Sequence, residues 1–131
     1  MLEIGIKGKK TVTVVPENTA EAIGSGLLPV FSTPSLVALM ENCCSESVQP
    51  YLDEGDGTVG ISLDVKHTSA TPVSLEVTAE SELVEIDRRR LVFRVTAYDK
   101  CGEVGGGIHE RFVITNDRFM AKVNSKLETA K

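Results

Sequence analysis

The chain has 131 residues, 41% hydrophobic and 25% charged, with a net charge of −5. That is the balance of one folded domain spanning residues 1–131, not of a disordered tail. The acidic balance disfavours binding to a nucleic-acid backbone. No apolar run approaches the roughly 20 residues of a membrane span, and the N-terminus lacks a secretory apolar stretch, so a cytoplasmic protein is expected.

In chain order, Lys10 to Val15 is rich in β-branched residues and is interrupted by Pro16 and Asn18, which reads as a short edge strand and turn. Ile23 to Thr33 reads as loop. Thr33 before Pro34 resembles an N-cap hydroxyl followed by a proline at the first helical position, so a helix is expected over about 34–49. On a helical wheel Leu36, Val37, Leu39, Met40, Cys43, Cys44 and Val48 fall on one arc.

Beyond the DEGDG turn, Val59, Ile61, Leu63, Val65 and His67 alternate with Gly60, Ser62, Asp64 and Lys66, the period of a strand with one face inward. Val73 to Ile86 continues that logic, with a slip of apolar parity at Leu83 and Val84 that suggests a bulge. Asp87 to Arg89 reads as a hairpin turn, Leu91 to Ala97 as the next strand, and Val104 to Thr115 as the last. The tail from Asn116 reads as a short, fraying helix. One long helix followed by strands joined by short turns predicts an α+β fold with an antiparallel sheet around the helix. A second subunit extending the sheet edge to edge would complete it.

Cysteines 43, 44 and 101 form neither a disulfide framework nor a zinc-ligand spacing, so reduced thiols and no metal are expected. Glu41 sits about 140° round the wheel from Leu36, at the border of the apolar arc. It is either a boundary glutamate reaching water or a partly desolvated general base or nucleophile. His67 shares parity with inward apolar residues and is followed by Thr68, Ser69 and Thr71; it reads as a structural histidine or as one held in a single tautomer for proton transfer. Thr33 caps the helix and also stands where backbone N–H groups can meet an oxyanion. Gly60 and the run Gly105 to Gly107 suggest close backbone approach by a ligand or by neighbouring strands. His109 and Arg111 share one strand face. That face is either solvated or offers Arg111 to a ligand anion or a carboxylate. Arg118, Lys122 and Lys126 recur at helical spacing, either as an ordinary charged face or as a contact for a nucleotide phosphate.

The segments VFSTPSLVALMENC, PYLDEGDGTVGISLDVKHTSATP, GGGIHERFVI and RFMAKV closely resemble the fluoroacetyl-CoA thioesterase family of hot-dog proteins, from about Val12 to Lys126. Thr33, Glu41 and His67 fall at that family's catalytic spacing. The resemblance implies a sheet of five or six strands around one central helix, a homodimer open to further assembly, and acyl-CoA sites at the subunit interface lined by Gly60 and Arg111. It implies that Glu41 attacks the thioester carbonyl or activates water, that Thr33 orients the reacting groups and that His67 handles protons. No cofactor is implied, since coenzyme A is part of the substrate. Where the fluoroacetyl-specific enzyme carries an aromatic residue ahead of the threonine, this chain has Leu27, Leu28, Pro29 and Val30, with Phe31 the nearest aromatic, so a short or branched acyl-CoA is the expected substrate. The rivals are a non-catalytic acyl-CoA sensor, which would not need Glu41 and His67 together, and an enoyl-CoA hydratase, whose acid and histidine usually share one segment.

Overall fold

The computed structural model describes all 131 residues. Five strands form one antiparallel sheet in the order β1 (Lys7–Thr13), β3 (Glu76–Asp87), β4 (Arg90–Asp99), β5 (Gly102–Thr115) and β2 (Asp56–His67), leaving β1 and β2 as edges. The helix α2 (Thr33–Val48) packs on one face of that sheet, against β1, β3, β2 and β4. A short helix α1 (Ala20–Ile23), capped by the Thr19 hydroxyl, lies between the turn at Pro16 to Asn18 and the stretch read as loop, overlapping that stretch only at Ile23.

The helix buries Leu36, Leu39, Met40, Cys43, Cys44 and Val48, as the wheel predicts, against Val77, Ala79, Leu83, Phe93, Val95 and Ala97 of the sheet. Its N-cap is Ser32 rather than Thr33, because the Ser32 hydroxyl accepts from the Ser35 N–H at 3.1 Å. Thr33 is therefore the first helical residue and Pro34 the second, and the threonine hydroxyl is free of capping duty. The helix passes into a tight 3-10 turn at Gln49–Tyr51 around Pro50.

Two strand readings need correction. The third strand starts at Glu76, since Ser74 adopts a φ of 91° in a turn that leaves Val73 to Leu75 outside the sheet. In β2 the alternation is not continuous: a register shift between Gly60 and Ser62 inserts Ile61 as a bulge. Before the bulge Gly60 pairs with Arg111, and after it Leu63 pairs with His109, so Gly60 and Leu63 share the face toward the helix. Val59 and Ile61 are thereby turned to the outer side, and Ile61 is half exposed. The anticipated slip at Leu83 and Val84 is present as a register shift between Leu83 and Glu85. After β5 the tail forms α3 (Asn116–Asn124) and α4 (Lys126–Thr129), broken at Ser125.

Candidate active site

Two clusters of polar side chains lie along α2. At its N-terminus the Thr33 hydroxyl lies 2.8 Å from Nδ1 of His67, the last residue of β2. The other ring nitrogen, Nε2, is buried and has no hydrogen-bond partner in the protein. One nitrogen is thus held and the other left without a partner. Burial pushes the His67 pKa below its ordinary value against a smaller raising effect of the Ser69 backbone, so the ring is neutral near pH 7. A cleft of about 310 Å³ opens beside this pair, lined among others by Ala20, Val30, Phe31, Thr33, His67 and Ser69.

The helix N-terminus offers fewer donors than the sequence suggests. Pro34 has no N–H, Ser35 donates to the Ser32 hydroxyl and Leu36 to the Ser32 carbonyl. Only the Thr33 N–H is without an acceptor among the protein groups.

Two helical turns further on, about 12 Å along the axis, Glu41 points over β2 and β5. A Cβ built on Gly60 would stand 2.7 Å from Glu41 Oε2, 3.3 Å from His109 and 3.4 Å from Arg111 Nη1, so glycine is the residue that leaves room for this carboxylate. Arg111 Nη1 lies 3.9 Å from Glu41 Oε2. The guanidinium is anchored through Nε to the Thr58 hydroxyl at 2.7 Å and through Nη2 to the Thr58 carbonyl at 2.9 Å. Glu41 keeps 42% of its side chain exposed, so the carboxylate meets solvent on one side and the buried cation on the other.

The face carrying His109 and Arg111 is not solvated: they are 1% and 7% exposed. Here the sheet turns polar residues inward (Thr58, Gly60, His109, Arg111) and apolar ones outward, with Ile108 and Phe112 each 39% exposed. His109 is a site residue that alternation alone left undecided between a solvated and an inward face. The signal that identifies it is its parity with Arg111 opposite Gly60. Gly105 serves packing instead, since a Cβ there would stand 2.5 Å from the Lys66 carbonyl and 3.2 Å from Leu36. The buried Cys44 thiol is pushed up to about 12 and that of Cys43 is raised, both chiefly by desolvation, so neither is a thiolate at neutral pH. A polar hollow of about 530 Å³ by Lys7, Lys9, Glu80, Glu82 and Arg94 lies away from both clusters, its charges paired as Lys9 with Glu80 and Arg94 with Glu82.

The structure therefore joins Thr33 to His67, and Glu41 to Gly60 and Arg111, without contact between Glu41 and either Thr33 or His67 in one chain. Residues 14–117 match the family of fluoroacetyl-CoA-specific thioesterases. Over 97 residues the chain is 46% identical to the fluoroacetyl-CoA thioesterase of Streptantibioticus cattleyicolor, covering 74% of this chain and 70% of that one. The crystal structure of fluoroacetyl-CoA thioesterase FlK superposes with a TM-score of 0.91 at 37% identity, over 96% of this chain and 98% of the other. A threonine-to-serine variant of that enzyme in complex with acetyl-CoA also gives 0.91, at 37% identity over 95% and 98%. A thioesterase superfamily member from Thermus thermophilus, 23% identical, shares the fold with a TM-score of 0.89 over 97% and 94%.

Proposed function

The chain belongs to the family of fluoroacetyl-CoA-specific thioesterases and is thus a thioester hydrolase; on that premise we propose that Glu41, His67 and Thr33 together hydrolyse a short or branched acyl-CoA. The observation that carries the assignment is the pairing of an uncommitted His67 Nε2 with a Glu41 carboxylate housed over Gly60. A sensor would have no use for either, and a hydratase usually keeps its acid and histidine on one segment, whereas Glu41 is on α2 and His67 on β2.

In the proposed reaction Glu41 either attacks the thioester carbonyl, with water then cleaving the mixed anhydride, or deprotonates the attacking water. Both routes consume one water, break the C–S bond and release one carboxylic acid and one coenzyme A thiol. The Thr33 hydroxyl accepts from Nδ1–H and so holds the His67 ring, and the neutral Nε2 takes up the proton shed by the water, directly or by way of Glu41, and passes it to the departing thiolate. The Thr33 N–H is the available donor for the carbonyl oxygen as it gains charge. Arg111 orients Glu41, and Gly60 keeps the approach open. The chemistry requires no cofactor, since coenzyme A enters with the substrate.

A carbonyl held at the Thr33 and His67 pair is too far from the Glu41 of its own chain, so the site is composite. Antiparallel pairing of the β2 edges of two copies would bring the Gly60 end of one strand beside the His67 end of the other, making a homodimer with two sites. For the acyl group, Leu27 and Leu28 are exposed, and Phe31, the one aromatic of this segment, forms part of the cleft wall from a position only 2% exposed, so no exposed aromatic of this segment covers the cleft. That supports a small aliphatic acyl chain over selection for fluorine.

The test is thiol release across acetyl-, fluoroacetyl-, propionyl-, isobutyryl- and benzoyl-CoA. Release is expected with the short and branched chains, without preference for the fluorinated one over acetyl-CoA. Binding of acyl-CoA with no thiol released from any of them would overturn the reading.

A further inference from the structure

Arg111 is a buried cation, and three of its nitrogens are accounted for by hydrogen bonds. Two bonds go to Thr58 and fix the edge of the guanidinium remote from Glu41. The nitrogen nearest Glu41, Nη1, has one hydrogen-bond acceptor, Nε2 of His109 at 3.1 Å. His109 is itself held on its other sides. Its Nδ1 lies 2.9 Å from the Ser62 carbonyl, at the β2 bulge, and its ring stacks on Phe93 with centroids 6.3 Å apart and planes inclined by 29°.

These partners settle the protonation of the ring. An arginine can only donate, so Nε2 must present its lone pair; a carbonyl can only accept, so Nδ1 must carry the hydrogen. Burial, the largest effect, disfavours an added proton and outweighs the opposing Ser62 carbonyl; the adjacent guanidinium adds to it, and Glu41 and Glu110 oppose it more weakly. His109 is thus a neutral acceptor built into the floor beneath Glu41, and at 1% exposure it cannot touch substrate.

We propose that His109 is a positioning residue for the hydrolysis: its Nε2 lone pair aims Arg111 Nη1 at the Glu41 carboxylate, which holds that carboxylate over Gly60 in the orientation from which it acts on the thioester. The inference rests on the assignment of Glu41 to the reaction. It also gives the β2 bulge a purpose, since the register shift delivers the Ser62 carbonyl that selects the tautomer.

Two amide substitutions separate the ring nitrogens. His109→Gln places its amide near the Nε2 position, so its oxygen still accepts from Nη1; His109→Asn reaches only the Nδ1 position and leaves Nη1 without an acceptor. Kinetics are read with the acyl-CoA that wild type hydrolyses fastest, alongside melting temperatures and Glu41→Gln. His109→Gln is expected to keep kcat within several-fold, and His109→Asn to lower kcat by about ten- to a hundredfold, the scale of a misplaced reacting group, with KM little changed. Equal losses in both variants, a larger loss in His109→Gln, or no loss in either at wild-type melting temperature would overturn the proposal. Full activity in Glu41→Gln would instead remove the assignment on which it rests, and the contrast between Asn and Gln still reads His109 independently.

Discussion

Gly60 is where a single atom decides access. Adding a methyl group there would press on the Glu41 carboxylate, the end of a flexible side chain that can swing away without disturbing the backbone. Gly60→Ala is therefore expected to melt close to wild type while turnover falls by about tenfold or more; unchanged turnover would place the working carboxylate elsewhere. The two histidines carry a pH signature. Both His67 and His109 have pKa values lowered by burial, so below the ordinary histidine value the unfolded chain binds protons that the folded chain does not. Stability should then be level above about pH 7 and fall on acidification from about 6.5 through the folded-state values. Melting temperature against pH checks this, and His67→Ala should flatten part of the slope. At this scale the sequence singled out Thr33, Glu41 and His67, and the structure sets Thr33 against His67 and Glu41 against Arg111. The sequence said less about His109, because a histidine beside an arginine on a strand looks the same whether it faces water or the buried side of the sheet.

The helix and the strands differ in how legible they were. Helix α2 follows its apolar arc closely, because one stripe of side chains packs on the sheet, and the error of one residue at its start lies in which hydroxyl caps it. That error separates two effects that can be measured. Ser32→Ala should cost about 1 kcal/mol of stability through loss of the cap. Thr33→Val should leave stability nearly unchanged yet lower turnover by about a hundredfold, as the His67 ring loses its hydrogen bond. Urea unfolding and thiol release on the two variants check this, and it fails if stability and activity fall together in both. Strands β2 and β5 were harder to read because they invert the usual pattern: Ile61, Ile108 and Phe112 face out while Thr58, Gly60, His109 and Arg111 face the helix. A search for apolar residues inside assigns the wrong face to Val59 and Ile61, and the bulge at Ile61 restores the expected parity only from Leu63 onward. Strand β3 as far as Leu83, and β4, which together build the core with Val77, Leu83, Leu91, Phe93 and Val95, followed the alternation, and β3 slips once at the register shift between Leu83 and Glu85. The pattern inverts where the sheet houses the Glu41 and Arg111 cluster instead of apolar core.

For the whole molecule, the fold positions the Thr33 and His67 pair at the N-terminus of α2 and the Glu41 and Arg111 cluster near its middle, and leaves β2, which carries residues of both, as a free edge. No helix is long and apolar enough to cross a membrane. The sequence pointed to edge-to-edge pairing but not to the separation of the half-sites, because spacing along a chain does not say which copy's residue meets which. In the proposed homodimer Glu41 of one copy and His67 of the other act on one thioester. Glu41→Gln and His67→Ala are each expected to lower turnover at least about a hundredfold as homodimers. When the two variants are denatured, mixed in equal amounts and refolded together, half of the dimers should be mixed, each with one intact site, and thiol release should recover to about a quarter of wild type. Activity that stays at the level of the separate variants after verified subunit exchange would contradict the composite site.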